Sequence, residues 1–278
     1  ISIKSLYDFK PDDDKDSILG KRWLCRGGSC LFIGQSGVGK SSLAMQAALL
    51  WSHGKSFFGV MPARPLKSMI IQHENDTGDL AEMFMGVMRG TGLIDDLEAI
   101  NNIDSNVVII RERAHTGDAF LKVLRKLIDK HRPDIVWIDP LYTYIGDDIS
   151  QQKVCAQFLC DGLGPITQAT GVTWMLMHHT GKPSTDKKAK DGWTTTDHSY
   201  AGLGSSILTN WVRATVTVNK ATEDVFEVIF GKRGKRSGAR NIDMELSNVI
   251  HLAHSKNGIC WELVGAPVVE SSNTYTNE

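Results

Sequence analysis

Residues 34–41 read Gly34-Gln35-Ser36-Gly37-Val38-Gly39-Lys40-Ser41, a complete G-x-x-x-x-G-K-[ST] arrangement, with Ser42 directly behind it. Its chemistry is anion recognition. The glycines let the backbone curl so that successive N–H groups converge on phosphate oxygens. Lys40 is then placed to reach β- and γ-phosphates, and the Ser41 hydroxyl to ligate Mg2+. An apolar run, Cys30-Leu31-Phe32-Ile33, precedes the loop, and apolar residues at helical spacing (Leu43, Ala44, Ala47, Ala48, Leu50, Trp51) follow it. A phosphate loop between a buried strand and a helix N-terminus implies binding of a nucleoside triphosphate, ATP, with Mg2+.

Such a site needs carboxylates as well. Asp139 closes the apolar run Ile135-Val136-Trp137-Ile138 at the end of a strand, where a Walker-B acid holds Mg2+ through water. Hydrolysis further needs a group that orients or deprotonates water. Glu74 is the first carboxylate after the run Met69-Ile70-Ile71; His73 and Asp76 are its rivals, and Asp76 and Asp79 also suit helix capping. Another run ends in Met177-His178-His179-Thr180-Gly181-Lys182. Adjacent strand residues point to opposite faces and no third ligand is near in sequence, so a metal pair is the weaker reading. A donor that senses the γ-phosphate fits the placement better, with His179 preferred to His178.

These residues must be carried by elements. Beyond the strands ending at residues 33, 71 and 138, the pattern predicts strands at residues 107–110 and 172–177. Helices are expected over residues 79–89, on Phe120, Leu124, Leu127 and Ile128, and on Val154, Cys155, Phe158, Leu159 and Ile166, with a short helical stretch at residues 19–24. Fully apolar strands alternating with amphipathic helices imply an α/β fold whose parallel sheet is covered on both faces. From residue 214 the pattern turns β-rich, with strands expected at residues 214–218, 225–230, 242–246 and 259–264. Residues 1–18, with an acidic knot at residues 12–16, read as an arm, residues 19–265 as one ATPase domain, and residues 266–278 as a disordered polar tail. Residues 181–196 form a long loop carrying Lys182, Lys187, Lys188, Lys190 and Trp193.

Composition bounds the rest. A net charge of −1 means that any nucleic-acid binding must come from a local basic patch. The five cysteines (Cys25, Cys30, Cys155, Cys160, Cys260) lack metal-site spacing and read as free thiols of a reducing cytoplasm. No apolar run approaches membrane-spanning length, so no membrane partner is expected. Ile1 in place of Met suggests a processed or excised chain with neighbouring domains missing.

The segments GQSGVGKS, IIQHEN, DIVWIDPLY, MLMHHTGK and GLGSSILTNWVRATV together resemble, in order and spacing, the RepA-like hexameric replicative helicases of plasmids, within the RecA/DnaB-type ATPase superfamily. The resemblance covers roughly residues 20–240. It implies a RecA-like P-loop NTPase core, a mostly parallel sheet flanked by helices with a β-rich C-terminal part. It also implies Glu74 as catalytic base and His178 and His179 at the sensor position. Gly204-Ser205-Ser206 and Arg213 match the family's Gly-Ser-Ser segment and the basic residue after it. Family members are rings with ATP at subunit interfaces and an arginine finger reaching across. Arg213 is one candidate for that finger, and the cluster Lys232, Arg233, Lys235, Arg236, which also reads as a solvated turn, is the other. Where the family has an Arg in the helix after the catalytic acid, this chain has Met83 and Met85 and reaches Arg only at Arg89.

Two functions of different class follow. The first is a ring-forming motor that translocates on single-stranded DNA and unwinds duplex in replication, with a primase or replication-initiator partner. The lysines and Trp193 of the long loop would grip the backbone and stack bases. The second is a RecA/RadA-type recombination or repair ATPase without helicase activity. A small-molecule kinase is the least supported, because Glu74 and the histidines are arranged to activate water.

Overall fold

A computed structural model describes residues 1–179, 206–256 and 258–267 of the chain. It opens with α1 (Ile3–Tyr7), which buries no side chain, and a single 3-10 turn at Pro11–Asp13. β1 (Ser17–Leu19) and β2 (Leu24–Cys25) then pair antiparallel. Residues 19–24 are therefore the turn of a hairpin, and the helical stretch expected there does not form. Gly20 and Arg22 both hold left-handed backbone, φ 60° and 56°, which a right-handed helix excludes.

β3 (Ser29–Gly34) runs into the phosphate loop and α2 (Lys40–Ser52). β4 (Ser68–Gln72) is followed by α3 (Thr77–Gly90), whose Asp76 and Asp79 form a reciprocal capping box, and by α4 (Leu97–Asn106), a helix the sequence reading passed over. β5 (Val107–Arg111), α5 (Gly117–His131), β6 (Ile135–Asp139) and the short α6 (Leu141–Ile145) come next. α7 (Gln152–Ala156) continues through a π-helical stretch, Gln157–Leu163, into α8 (Gly164–Thr170), and β7 (Thr173–His179) follows. After α9 (Ser206–Trp211) the chain forms β8 (Ala214–Lys220), β9 (Phe226–Phe230), β10 (Val249–His254) and β11 (Trp261–Val264).

Among the described residues the sheet has the order β11-β10-β9-β8-β3-β7-β6-β4-β5. The strands from β8 to β5 are parallel, and β9 to β11 form an antiparallel meander. This is the mostly parallel α/β sheet that the alternating pattern predicts. Strand parity divides its side chains between two cores. Cys30, Phe32, Ile70, Ile135, Trp137, Met175 and Met177 pack with α2, α3 and α4. Leu31, Ile33, Met69, Ile71, Val136, Ile138, Trp174 and Leu176 pack with α5, α6, α8 and α9. Both faces are thus covered, and every position of β3, β4 and β6 is buried.

The meander departs from expectation in one strand. Residues 242–246 alternate apolar and acidic, yet Ile242, Met244 and Leu246 lie exposed in a loop, and Met244 holds φ 63°. The third β-rich segment is Val249–His254 instead, pairing with β9 on one side and β11 on the other. Residues 180–205, which include Lys182, Lys187, Lys188, Lys190, Trp193, Gly204 and Ser205, fall outside the described residues, as do residues 268–278 of the expected tail. No described helix is long and apolar enough to cross a membrane. All five cysteines are free.

Candidate active site

In an open parallel sheet, ligands bind beyond the carboxyl ends of the strands where the strand order reverses. β3 is such a point: the chain leaves it to reach β4 two strands beyond β7, and later returns to add β8 on its other side. Its register aligns Gly34 with His179 of β7, while Gln72 of β4 aligns with both Asp139 of β6 and Arg111 of β5. The parallel strands therefore deliver Gly34, Gln72, Asp139 and His179 to one edge.

The loop itself turns on two glycines with positive φ, Gly37 at 76° and Gly39 at 84°. Gly39 is also the N-cap of α2, whose first turn presents N–H groups without helical partners to an anion. A Cβ on Gly39 would lie 2.4 Å from Cζ2 of Trp261, the first residue of β11. That indole is 1% exposed, donates from Nε1 to Ser42 Oγ at 2.8 Å, and exchanges backbone bonds with the Gln46 amide at 2.8 and 3.0 Å. Ser42 in turn donates to the Gly39 carbonyl at 2.8 Å. The Ser42 hydroxyl, expected at the nucleotide, is thus used in fixing the underside of the loop. Gln35, Ser36 and Gly37 are exposed at its rim, and Val38 is buried against Gly34.

Lys40 is 4% exposed, and its Nζ meets the carbonyls of Gly34 and Gln35 at 2.8 Å each and His179 Nδ1 at 3.2 Å. Burial lowers the Lys40 pKa to about 8, although Asp139 and Glu74 favour its charged form. Burial, with the Lys40 charge adding to it, also lowers that of His179. A neutral His179 accepting from an ammonium at Nδ1 carries its proton on Nε2, which makes Nε2 a donor.

Ser41 Oγ donates to Asp139 Oδ2 at 2.5 Å, and Gln72 Nε2 donates to the same oxygen at 2.8 Å. Burial raises the Asp139 pKa, against the bonds from Ser41 and Gln72 and the charge of Lys40. These side-by-side oxygens fit Mg2+: the ion takes one or two protein oxygens and completes its shell with water and phosphate. Among the described residues, no cluster of three His, Cys, Asp or Glu would hold a metal by protein ligands alone.

Glu74 stands in the loop between β4 and α3 and lines a cavity of about 350 Å³ together with Ser36, Tyr142, Ile149, His178 and His179. Tyr142 donates its hydroxyl to Glu74 Oε1 at 3.2 Å and sets its ring edge-on to His179, centroids 5.6 Å apart. Sequence reasoning missed Tyr142 and Gln72, though both stand within the quoted segments; the signal was their place beside a strand end, not their residue type. Of the two histidines, both of which line this cavity, His179 touches Lys40 and Tyr142, while His178 is 2% exposed.

The basic residues lie elsewhere. The Arg213 backbone N–H donates to the Ser29 carbonyl, at the amino end of β3 and so roughly 17 Å from Gly34 by strand rise. Lys232 Nζ donates to the carbonyls of Thr209 and Val212 at the end of α9, and Arg233 to the Arg22 carbonyl. Lys235 and Arg236 are exposed on that same edge. None of the five reaches the phosphate loop of its own chain. Lys232 and Arg233 are bonded to carbonyls of their own chain, and Arg213, Lys235 and Arg236 are exposed.

Phosphate loop, strand-end acid and carboxylate-lined cavity on this sheet define a P-loop ATPase of RecA-like fold. The AAA domain family matches over residues 7–185, more than half the chain, and the protein belongs to that family. A KaiC-like protein of the hyperthermophilic archaeon Pyrococcus horikoshii OT3 is similar in fold, with TM-score 0.51 and 14% identity over 87% of this chain and 91% of that one. No curated protein matches the chain.

Proposed function

We propose that this protein hydrolyses ATP within a ring of identical subunits and uses the cycle to translocate on single-stranded DNA and unwind duplex during replication. The observation that carries the hydrolytic half is Glu74 facing His179 and the phosphate loop across one cavity. There the Glu74 carboxylate takes a proton from water as its oxygen bonds to the γ-phosphorus and the bond to the β,γ-bridging oxygen breaks. Lys40 and the Nε2–H of His179 donate to the oxygens on which charge grows. Ser41 and Asp139 would hold Mg2+, which neutralises phosphate charge when bound.

The DNA-coupled half is supported by the resemblance to RepA-like helicases and by chain order. The lysine-rich segment follows His179 directly, so a change at the γ-phosphate has a short covalent route to it. Arg213 is proposed as the finger that reaches a neighbouring subunit.

The test is steady-state ATP hydrolysis with and without single-stranded DNA at low and moderate salt, with Glu74→Gln as control. The reading expects several-fold, salt-sensitive stimulation, strand separation on a forked duplex, and a Glu74→Gln protein that binds ATP without turning it over. Stimulated hydrolysis without strand separation would move the assignment to a recombination-type ATPase. Normal turnover by Glu74→Gln would remove the base.

A further inference from the structure

The Glu74 loop has a support that neither the motifs nor the family match assigns. Arg113 follows the edge strand β5, and its guanidinium reaches back over the loop between β4 and α3. Nε donates to the His73 carbonyl at 2.7 Å, and Nη2 donates to the Glu74 and Asn75 carbonyls at 3.0 and 3.1 Å. One planar fork thus holds three consecutive carbonyls, and a backbone that turns three oxygens toward one cation is fixed in direction at each residue. On the opposite side the His73 N–H donates to the Asp139 carbonyl at 3.2 Å, which pins the start of the loop to β6.

Glu74 itself is exposed, and among the described residues its carboxylate is aimed by the 3.2 Å bond from Tyr142. Its aim therefore depends on the backbone beneath it. The base of Arg113 is itself well set: Glu112 N–H donates to the Gln72 carbonyl at 3.0 Å, and the Glu112 carbonyl accepts from Tyr144 Oη at 3.0 Å. Nearby, Arg111 bonds Thr77 Oγ1 at 2.9 Å at the start of α3. The end of β5 thereby braces both limits of the loop.

We propose that Arg113 is a positioning residue for hydrolysis, fixing the Glu74 loop so that the carboxylate meets the attacking water. The proposal rests on Glu74 being the base. Because Arg113 touches neither the phosphate loop nor the Ser41–Asp139 pair, its loss should move kcat and leave nucleotide binding alone. A misplacement of about 1 Å at a reacting group costs about a hundredfold in rate.

The test compares wild type, Arg113→Ala, Arg113→Lys and Glu74→Gln by steady-state ATP hydrolysis, by equilibrium binding of a fluorescent ATP analogue, and by thermal melting. Arg113→Ala should lower kcat by about a hundredfold with analogue affinity within about threefold of wild type. Arg113→Lys keeps a cation among the carbonyls without the fork and should recover part of the loss. Wild-type kcat in Arg113→Ala, with Glu74→Gln inactive, would overturn the positioning role and leave the base intact. A fall in melting temperature and analogue binding together, unrescued by Lys, would also overturn it, marking Arg113 as a plain structural contact. Turnover in Glu74→Gln would instead sink the reading on which the proposal rests.

Discussion

Replacing Gly39 by Ala adds one methyl group where the chain has no room for it. Two costs arise. Gly39 holds φ 84°, in the left-handed region that charges an L-residue about 1–2 kcal/mol. The new Cβ would also lie 2.4 Å from Trp261 Cζ2. The indole cannot swing aside cheaply, since it is buried and held by Ser42 through Nε1 and by Gln46 through its backbone. Overpacking of this kind costs about 1–3 kcal/mol, so the total is about 2–5 kcal/mol.

The two parts separate in a double-mutant cycle. Trp261→Phe removes the ring edge that contains Cζ2. In that background Gly39→Ala should cost only the backbone part, about 1–2 kcal/mol, giving a coupling of about 1–3 kcal/mol between residues far apart in sequence. Urea unfolding followed by circular dichroism measures each corner. At a slope of about 3 kcal/mol per M the wild-type background should lose about 1 M of midpoint. A coupling below about 0.5 kcal/mol would refute the argument that β11 supports the phosphate loop.

Two further outcomes follow from the site. Burial holds the Lys40 pKa down at about 8, and phosphate oxygens around Nζ favour its charged form and raise that value. Binding therefore takes up a proton above pH 8, and ATP affinity should be level well below about pH 8 and fall by up to about tenfold per unit above it. Calorimetry at about pH 8.5 in two buffers of different protonation enthalpy checks this, and equal apparent enthalpies would refute it. Arg213→Ala should leave the fold intact and abolish turnover, while mixing it with Lys40→Ala subunits should restore part of the activity at mixed interfaces. No recovery on mixing, with assembly intact, would remove Arg213 as a finger in trans.

The local parts of this site were legible in the sequence because their geometry is local. The phosphate loop, its strand and its helix are contiguous, and Asp139, Glu74 and His179 each end or follow an apolar run. What escaped depends on pairing distant segments. Nothing in residues 111–113 says that their strand lies beside β4, so Arg113 could not be joined to Glu74. Trp261 reads as one apolar residue in a late strand, and only the packing of β11 against α2 brings it to Gly39. Residues 242–246 show the converse error: alternation suggested a strand, but among the described residues the run joins no sheet beyond an isolated bridge of Leu246 to Arg240, and its apolar side chains are exposed. At residues 19–24 a short helical stretch was expected, where left-handed backbone at Gly20 and Arg22 makes a hairpin.

On the proposed function, binding and hydrolysis rest on different supports. The phosphate loop is braced from beneath by Trp261 and Gln46, from the C-terminal meander and α2. The Glu74 loop is braced from the far edge of the sheet, by Arg113 beyond β5. Among the described residues, β11 and β5 are the two outermost strands of the sheet, with seven others between them. Sites that share no partners and lie well apart behave additively. Weakening the Trp261 side should therefore act on nucleotide affinity and stability, and weakening the Arg113 side on turnover. The two sets of variants should add without coupling. A strong coupling between Trp261→Phe and Arg113→Ala in kcat would mean instead that the sheet transmits strain from one edge to the other, and that binding and hydrolysis are held by one rigid unit.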